Sequence, residues 1–198
     1  MNSNTFSIII IIFILVISYR MYSNSDLFQL KCIISNVDGK QYCVRERNKI
    51  GLAADLLANV NNNMLAVINY CVKQYPDKEC IIKLKKGYNP KNLMETLPTS
   101  KYTAYSQNKG EKIAFCLNEK KNNPNQLIDI NTLTFVALHE IAHVATKSVG
   151  HTQEFWKNFK FLLVQAEKIN IYKPIDYKNN PKNYCDMMIT DNPYYDKL

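Results

Sequence analysis

All three histidines of the chain, His139, His143 and His151, fall inside the stretch TFVALHEIAHVATKSVGHTQEFW at 134–156. His139 and His143 are four residues apart, so on a helix their rings share one face, one turn apart, and can grip one metal ion. Glu140 follows His139 directly and completes an H-E-x-x-H pattern, in which two imidazoles bind zinc and the carboxylate serves as general base. Phe135, Val136, Leu138, Ile141, Ala142 and Val144 surround these groups. A helix that apolar is buried nearly all round, and burying imidazoles with a carboxylate is costly unless something pairs them. A zinc ion with a polarised water satisfies all three.

A catalytic zinc usually keeps three protein ligands and one open position. Gly150 suits a sharp turn, after which His151 can swing back onto the metal from the start of the next helix. Glu154, one turn into that helix, is the competing carboxylate. The spacing thus points to one catalytic zinc on His139, His143 and His151, with Glu140 as the catalytic base. A chance H-E-x-x-H is the plain alternative, and the third histidine after a glycine weighs against it.

These residues need elements to hold them. A helix opening near 130–132, capped by Asp129 or Asn131, must carry the first pair. A second helix over about 152–170 is apolar at Phe155, Phe159, Leu162, Leu163 and Ala166, and Trp156 reads as core packing beneath the site. Upstream, Asp38-Gly39 is a hairpin turn between strands near 30–35 and 40–45. That places Cys32 and Cys43 on paired strands, the best disulfide pair among six cysteines, with buried free thiols as the equal alternative. A long amphipathic helix spans 50–75, interrupted at Asn61–Asn63 and ended by Pro76. CIIKLKKG at 80–87 reads as a strand, 89–100 as a loop, 110–120 as a strand, and the tail with Pro174, Pro181 and Pro193 as irregular. No C-x-x-C pair occurs, which argues against a zinc ribbon or a thioredoxin-like motif.

A chain of 198 residues, 46% hydrophobic, suits one globular domain. Five glycines are too few for a Gly-rich phosphate-binding architecture. The net charge of +8 comes from scattered lysines, which reads first as a solvated surface and second as a nucleic-acid surface. The apolar run FSIIIIIFILVISY at 6–19 stands apart. No basic residue precedes it and no small-x-small cleavage site follows, so it reads as an uncleaved anchor rather than a signal peptide. The expected organisation is a membrane anchor over 1–22, a linker over 23–29 and one domain over 30–198. Arg20, Lys31, Lys40, Arg45, Arg47 and Lys49 all follow the run, which would leave the body of a single-pass membrane protein on the cytoplasmic side.

The segment LHEIAHVATKSVGHTQEFWKNFKFLLVQAE resembles the core of the WLM and SprT-like (Spartan) zinc metallopeptidases. In these an H-E-x-x-H helix is followed by a Gly-His turn and an aromatic-rich helix. The nearest branch is one from large double-stranded DNA viruses, with segments like NKGEKIAFCL and YCDMMI. The resemblance spans about 30–195, with specific motifs only over 133–166. Thr146 and Val149 stand where the metzincin pattern needs glycine and histidine, so that class does not fit. The resemblance implies zinc on His139, His143 and His151, a catalytic Glu140, and a small α+β zincin-like domain. That domain would hold a short antiparallel or mixed sheet, the motif helix and a following C-terminal helix. The implied function is a membrane-tethered, monomeric zinc endopeptidase acting on protein or peptide, with Glu140 activating a zinc-bound water. In zinc peptidases of this design an extended substrate pairs with an edge strand, expected here at 112–118, and Tyr105, Tyr172 or Tyr184 could hold the oxyanion. Two alternatives stand beside it. One is a catalytically silent zincin-fold binding protein, which the intact Glu140 disfavours. The other is a WLM/SprT-like protease of nucleic-acid-associated proteins, which an anchor would disfavour.

Overall fold

Gly39, at φ +68°, turns the chain between β1 (Leu30–Ile34) and β2 (Gln41–Arg45). In the computed structural model, which describes residues 3–23, 30–121, 123 and 126–197, these strands pair antiparallel with Cys32 opposite Cys43. The two cysteines are joined in a disulfide. β3 (Leu93–Glu95), β4 (Ala104–Gln107) and β5 (Lys112–Phe115) complete a mixed sheet in the order β1-β2-β3-β5-β4. β2, β3 and β5 run parallel, and β1 and β4 run antiparallel at the edges. The 112–118 segment is therefore not the edge strand. β5 lies inside the sheet, as its buried Ile113, Ala114 and Phe115 require, and β4 takes the edge.

α2 (Ile50–Gln74) follows the expected helical period, burying Ala53, Leu57, Val60, Met64, Val67 and Cys71. The asparagine run does not interrupt it. Asn61 is fully buried, donating to the Tyr42 hydroxyl at 2.8 Å and the Pro90 carbonyl at 3.1 Å and accepting from the Tyr88 hydroxyl at 2.6 Å. A buried amide so fully bonded is tolerated in a helix interior. The 80–87 segment is helical, not a strand: α3 (Glu79–Gly87) buries Cys80, Ile81 and Leu84 and leaves its lysines outside. The three- and four-residue steps between those apolar positions fit a helix face, and Glu79 pairs with Lys83 one turn on at 2.7 Å.

α4 (Ile130–Ala145) and α5 (Gln153–Lys168) carry the histidine stretch. α2 packs on β1, β2 and β3; α4 packs on β4 and lies against α2, α3 and α5. The tail is more ordered than its prolines suggest: β6 (Lys182–Tyr184) and β7 (Met187–Ile189) form a hairpin, and a short 3-10 turn follows at Pro193–Tyr195.

The amino-terminal expectation is corrected. α1 (Ser3–Ser23) forms, but among the described residues no helix is long and apolar enough to cross a membrane. Length is the physical reason. The apolar run at 6–19 rises about 21 Å as a helix, against roughly 30 Å of bilayer hydrocarbon, and serine, asparagine, threonine and Arg20 occupy much of the remainder. The single-pass topology, and the cytoplasmic placement of the body that followed from it, fall with that finding. Most of the expected linker, residues 24–29, lies outside the described residues.

Candidate metal centre

Asp129, not Asn131, caps α4, accepting from the Thr132 amide at 2.9 Å and the Thr132 hydroxyl at 2.8 Å. Asn63 on α2 donates to the Thr134 hydroxyl at 2.9 Å, which ties α4 to its neighbour one turn in. From that base, His139 and His143 project toward α5, where Phe155 and Phe159 pack against them. The His143 ring stacks on Phe155 at 4.3 Å, and His139 meets Phe155 and Phe159 edge-on at 4.9 and 5.2 Å. His151 precedes α5 and is exposed, its ring 5.6 Å from Trp156. Trp156 is 36% exposed and lies beside the histidines rather than beneath them in the core.

The three rings turn the same nitrogen inward. His139 Nε2 lies 3.2 Å from His143 Nε2 and 3.0 Å from His151 Nε2, and all three imidazoles offer a ligand atom within 4.8 Å of one another. A neutral imidazole has one donor and one acceptor, so three nitrogens on one point cannot satisfy one another pairwise. Three nitrogens bound tetrahedrally at ordinary zinc distances stand about 3.3 Å apart. The donor set therefore fits one zinc-sized cation. Burial, then the neighbouring His143 and His151, lowers His139 to about 3; burial, then His151 and Lys109, lowers His143 to about 4. Both are neutral at neutral pH, the form that coordinates.

Glu140 is only 5% exposed, and among the described residues no side chain donates a hydrogen bond to its carboxylate. Burial raises it to about 8. Two cavities meet along His139, Glu140 and His151. One, of about 490 Å³, runs past Tyr102, Tyr105 and Lys109 to Val149; the other, of about 370 Å³, is walled by Phe135, Val136, Tyr184, Met187 and Ile189. Ala104 of the edge strand lines both. A larger cavity of about 720 Å³ lies behind the β4–β5 turn among Lys83, Lys86 and Lys147 and contains none of the histidines.

The turn between the helices explains Glu154. Its carboxylate accepts from the amides of Lys147 at 3.0 Å and Ser148 at 3.2 Å, and from the Ser148 hydroxyl at 2.9 Å. It is spent on the turn, and His151 is the group brought to the other two histidines. Lys109 holds the opposite side of that turn. Its ammonium donates to the carbonyls of Thr146 at 2.8 Å, Ser148 at 2.9 Å and His143 at 3.3 Å. A cation on the carbonyls and an anion on the amides together fix the segment that ends at Gly150, φ +84°. Lys109 reaches there because the β4–β5 turn nearly touches α3 and α4. A Cβ on Gly110 would sit 2.6 Å from the Gly87 carbonyl oxygen, and one on Gly87 would sit 2.6 Å from that of Lys109. Nothing local in the sequence around Lys109-Gly110 shows what the lysine reaches.

Of the three tyrosines considered for the oxyanion, Tyr105 lines the cavity on the β4 side. Tyr184 lies fully buried beneath the other cavity, donating to the Thr103 carbonyl at 3.3 Å. Tyr172 is committed to the fold, its hydroxyl accepting from Asn192 at 2.8 Å. The disulfide Cys116–Cys185, which ties the end of β5 to the β6–β7 turn, had no signal in the spacing of the cysteines; Cys71 and Cys80 remain free and buried.

An α+β domain with a mixed sheet and a convergent three-histidine cluster is thus the class of protein defined here. The chain belongs to the family of uncharacterized protein R325 of Acanthamoeba polyphaga mimivirus, with which it is 33% identical over 161 residues, covering 79% of this chain and 81% of that protein. It is also 43% identical over 75 residues to uncharacterized protein 136R of Invertebrate iridescent virus 6, covering 38% of this chain and 41% of that one. No family model matches. Among solved structures, a crystal structure of Wss1 from Saccharomyces cerevisiae overlays with a TM-score of 0.48 at 18% identity, covering 64% of this chain and 87% of that chain.

Proposed function

We propose that the chain is a zinc-dependent endopeptidase. The observation that carries this reading is the convergence of three Nε2 atoms, 3.0 and 3.2 Å from the central one, beside a buried carboxylate. His139, His143 and His151 would hold the ion, which when bound supplies a Lewis acid and an acidified water. The chain's own residues do the rest. Glu140 takes a proton from the attacking water and delivers it to the leaving amine. An extended peptide would lie along the free edge of β4, adding a strand there, which places its backbone between the two cavities that meet at Glu140. Tyr105, which lines the cavity on the β4 side, is the tyrosine that would hold a developing oxyanion. Phe155 and Phe159 hold the His139 and His143 rings against rotation, which keeps their lone pairs on one point.

The test uses the full chain, with zinc content measured by atomic emission and hydrolysis followed on a denatured protein substrate. About one zinc per chain is expected. Glu140→Gln should keep that zinc and lose hydrolysis by several orders of magnitude. Stoichiometric zinc with no hydrolysis by the parent would instead support the silent binding protein. Failure to bind zinc at all would overturn both.

A further inference from the structure

The β6–β7 hairpin forms one wall of the site, and the fold holds it there firmly. Its turn residues Cys185 and Asp186 have φ +51° and +63°. Cys185 is bonded through sulfur to Cys116 at the end of β5. The Cys185 and Asp186 amides donate to the carbonyls of Asn118 at 3.1 Å and Glu119 at 3.3 Å, and the Asp186 carboxylate accepts from the Lys121 amide at 3.2 Å. Tyr184, fully buried, donates across to the Thr103 carbonyl just before the edge strand. A wall fixed by a covalent bond and four hydrogen bonds is a preorganised surface rather than a lid.

Facing it on α4 are Phe135 and Val136, one turn before Glu140. Between the two walls lies the cavity of about 370 Å³, which opens onto His139, Glu140 and His151. That volume is near the small end of ligand cavities, roughly 300–1,000 Å³, and suits a single large side chain. Phe135, Val136, Tyr184, Met187 and Ile189 make most of its walls away from the histidines, with Thr103, Thr190 and Asp191 as the polar remainder. The Tyr184 hydroxyl is already engaged. Asp191, also in the lining, is half-exposed and pairs with Lys178 at 3.1 Å, so its carboxylate stays in water rather than in the cavity's apolar part. A charged side chain pressed against the apolar walls would give up water there, whereas an apolar one would gain by burial.

We infer that this cavity selects the substrate: it receives one large aliphatic or aromatic side chain of an extended polypeptide, at a position flanking the bond that is cut. The inference rests on the peptidase reading. Burial of a leucine, methionine or phenylalanine side chain corresponds to a preference of roughly ten- to hundredfold over a charged or absent one.

The zinc-loaded full chain, with its disulfides intact, is given peptide mixtures randomised on either side of the cleaved bond, and products are read by mass spectrometry. Leucine, methionine or phenylalanine should be enriched at one flanking position by about tenfold or more over aspartate, lysine and glycine. Val136→Phe, which fills the cavity from α4, should shift the preference to alanine and glycine while zinc content stays unchanged. Met187→Trp, on a half-exposed position of β7, should do the same from the mouth. An absence of preference, a preference for lysine or arginine, or variants with unaltered preference would overturn the inference. A binding measurement needs no turnover. Full-length Glu140→Gln should bind a peptide with leucine at that position about tenfold more tightly than its aspartate counterpart, and equal affinities would overturn the cavity's role. No cleavage of any peptide by the zinc-loaded parent would count against the peptidase reading, leaving the binding comparison to decide on the cavity.

Discussion

Glu140→Gln in the metal-free chain removes one titration and leaves the shape of the side chain nearly unchanged. Burial raises the Glu140 carboxyl from 4.5 to about 8, so between those values the folded chain keeps a proton that the unfolded chain releases. Stability from this group therefore falls as pH rises. At about 1.36 kcal/mol per pKa unit, the fall between pH 5 and pH 7 is on the order of 2–3 kcal/mol, with about 1 kcal/mol more by pH 8. His139 and His143 act in the opposite sense. Their folded values, lowered from 6.5 to about 3 and about 4, mean that the unfolded chain binds more protons in acid, so stability from them drops as the pH falls below about 6.5. Parent and variant share those histidine contributions, which cancel in the difference. Urea unfolding of both chains after chelator treatment, repeated from pH 5 to pH 8, should show the variant gaining on the parent by roughly 2–3 kcal/mol between pH 5 and 7. The gain should level off above pH 8. Zinc adds positive charge beside the carboxylate and opposes the shift, so loading the metal should flatten the difference. A difference that stays within about 0.5 kcal/mol across the whole range in the metal-free chains would refute the account of Glu140.

Chelator competition tests the ligand set: His139→Ala and His143→Ala should abolish tight zinc binding, and His151→Ala should weaken it by orders of magnitude. Glu154→Gln and Lys109→Met should each weaken zinc by roughly tenfold through the turn, with Lys109→Arg closer to the parent; loss of metal in Glu154→Gln with retention in His151→Ala would make the carboxylate the ligand. Gly87→Ala places a Cβ 2.6 Å from the Lys109 carbonyl oxygen and 2.8 Å from Val144 Cγ1, and should cost about 1–3 kcal/mol in urea unfolding. Replacing Cys116 and Cys185 together by serine opens a loop closed across 69 residues and should cost roughly 4 kcal/mol by chain entropy. The Cys32–Cys43 pair, separated by 11, should cost nearer 3 kcal/mol, and equal thermal shifts for the two would argue against that account.

Local pattern carried the centre of the site. His139 and His143 share a face because a helix repeats every 3.6 residues, and Asp38-Gly39 forces a hairpin whose register sets Cys32 against Cys43. Both facts lie within a few residues of the groups they position, which is why they can be read without a fold. Segment 80–87 shows where this fails. Cys80, Ile81 and Leu84 fit a short strand or one face of a short helix almost equally well, and packing against α4 chose the helix.

The rest was decided by contacts between segments far apart in the chain. His151 and Glu154 were both within reach of the metal by spacing. What separates them is that Glu154 meets the Lys147 and Ser148 amides while Lys109, some forty residues earlier in the chain, meets the carbonyls on the other side. The edge strand passed from 112–118 to β4 because β3 pairs in parallel with β5, a long-range pairing with no trace in either strand. The wall opposite Val136 comes from a tail whose prolines read as irregular, and Cys116 holds it there across the sheet. Hydrophobic period and turn chemistry act over a few residues and are written along the chain. The partner of an edge strand, a lysine or a lone cysteine is chosen by the closing of the core, so only the tertiary structure could assign it.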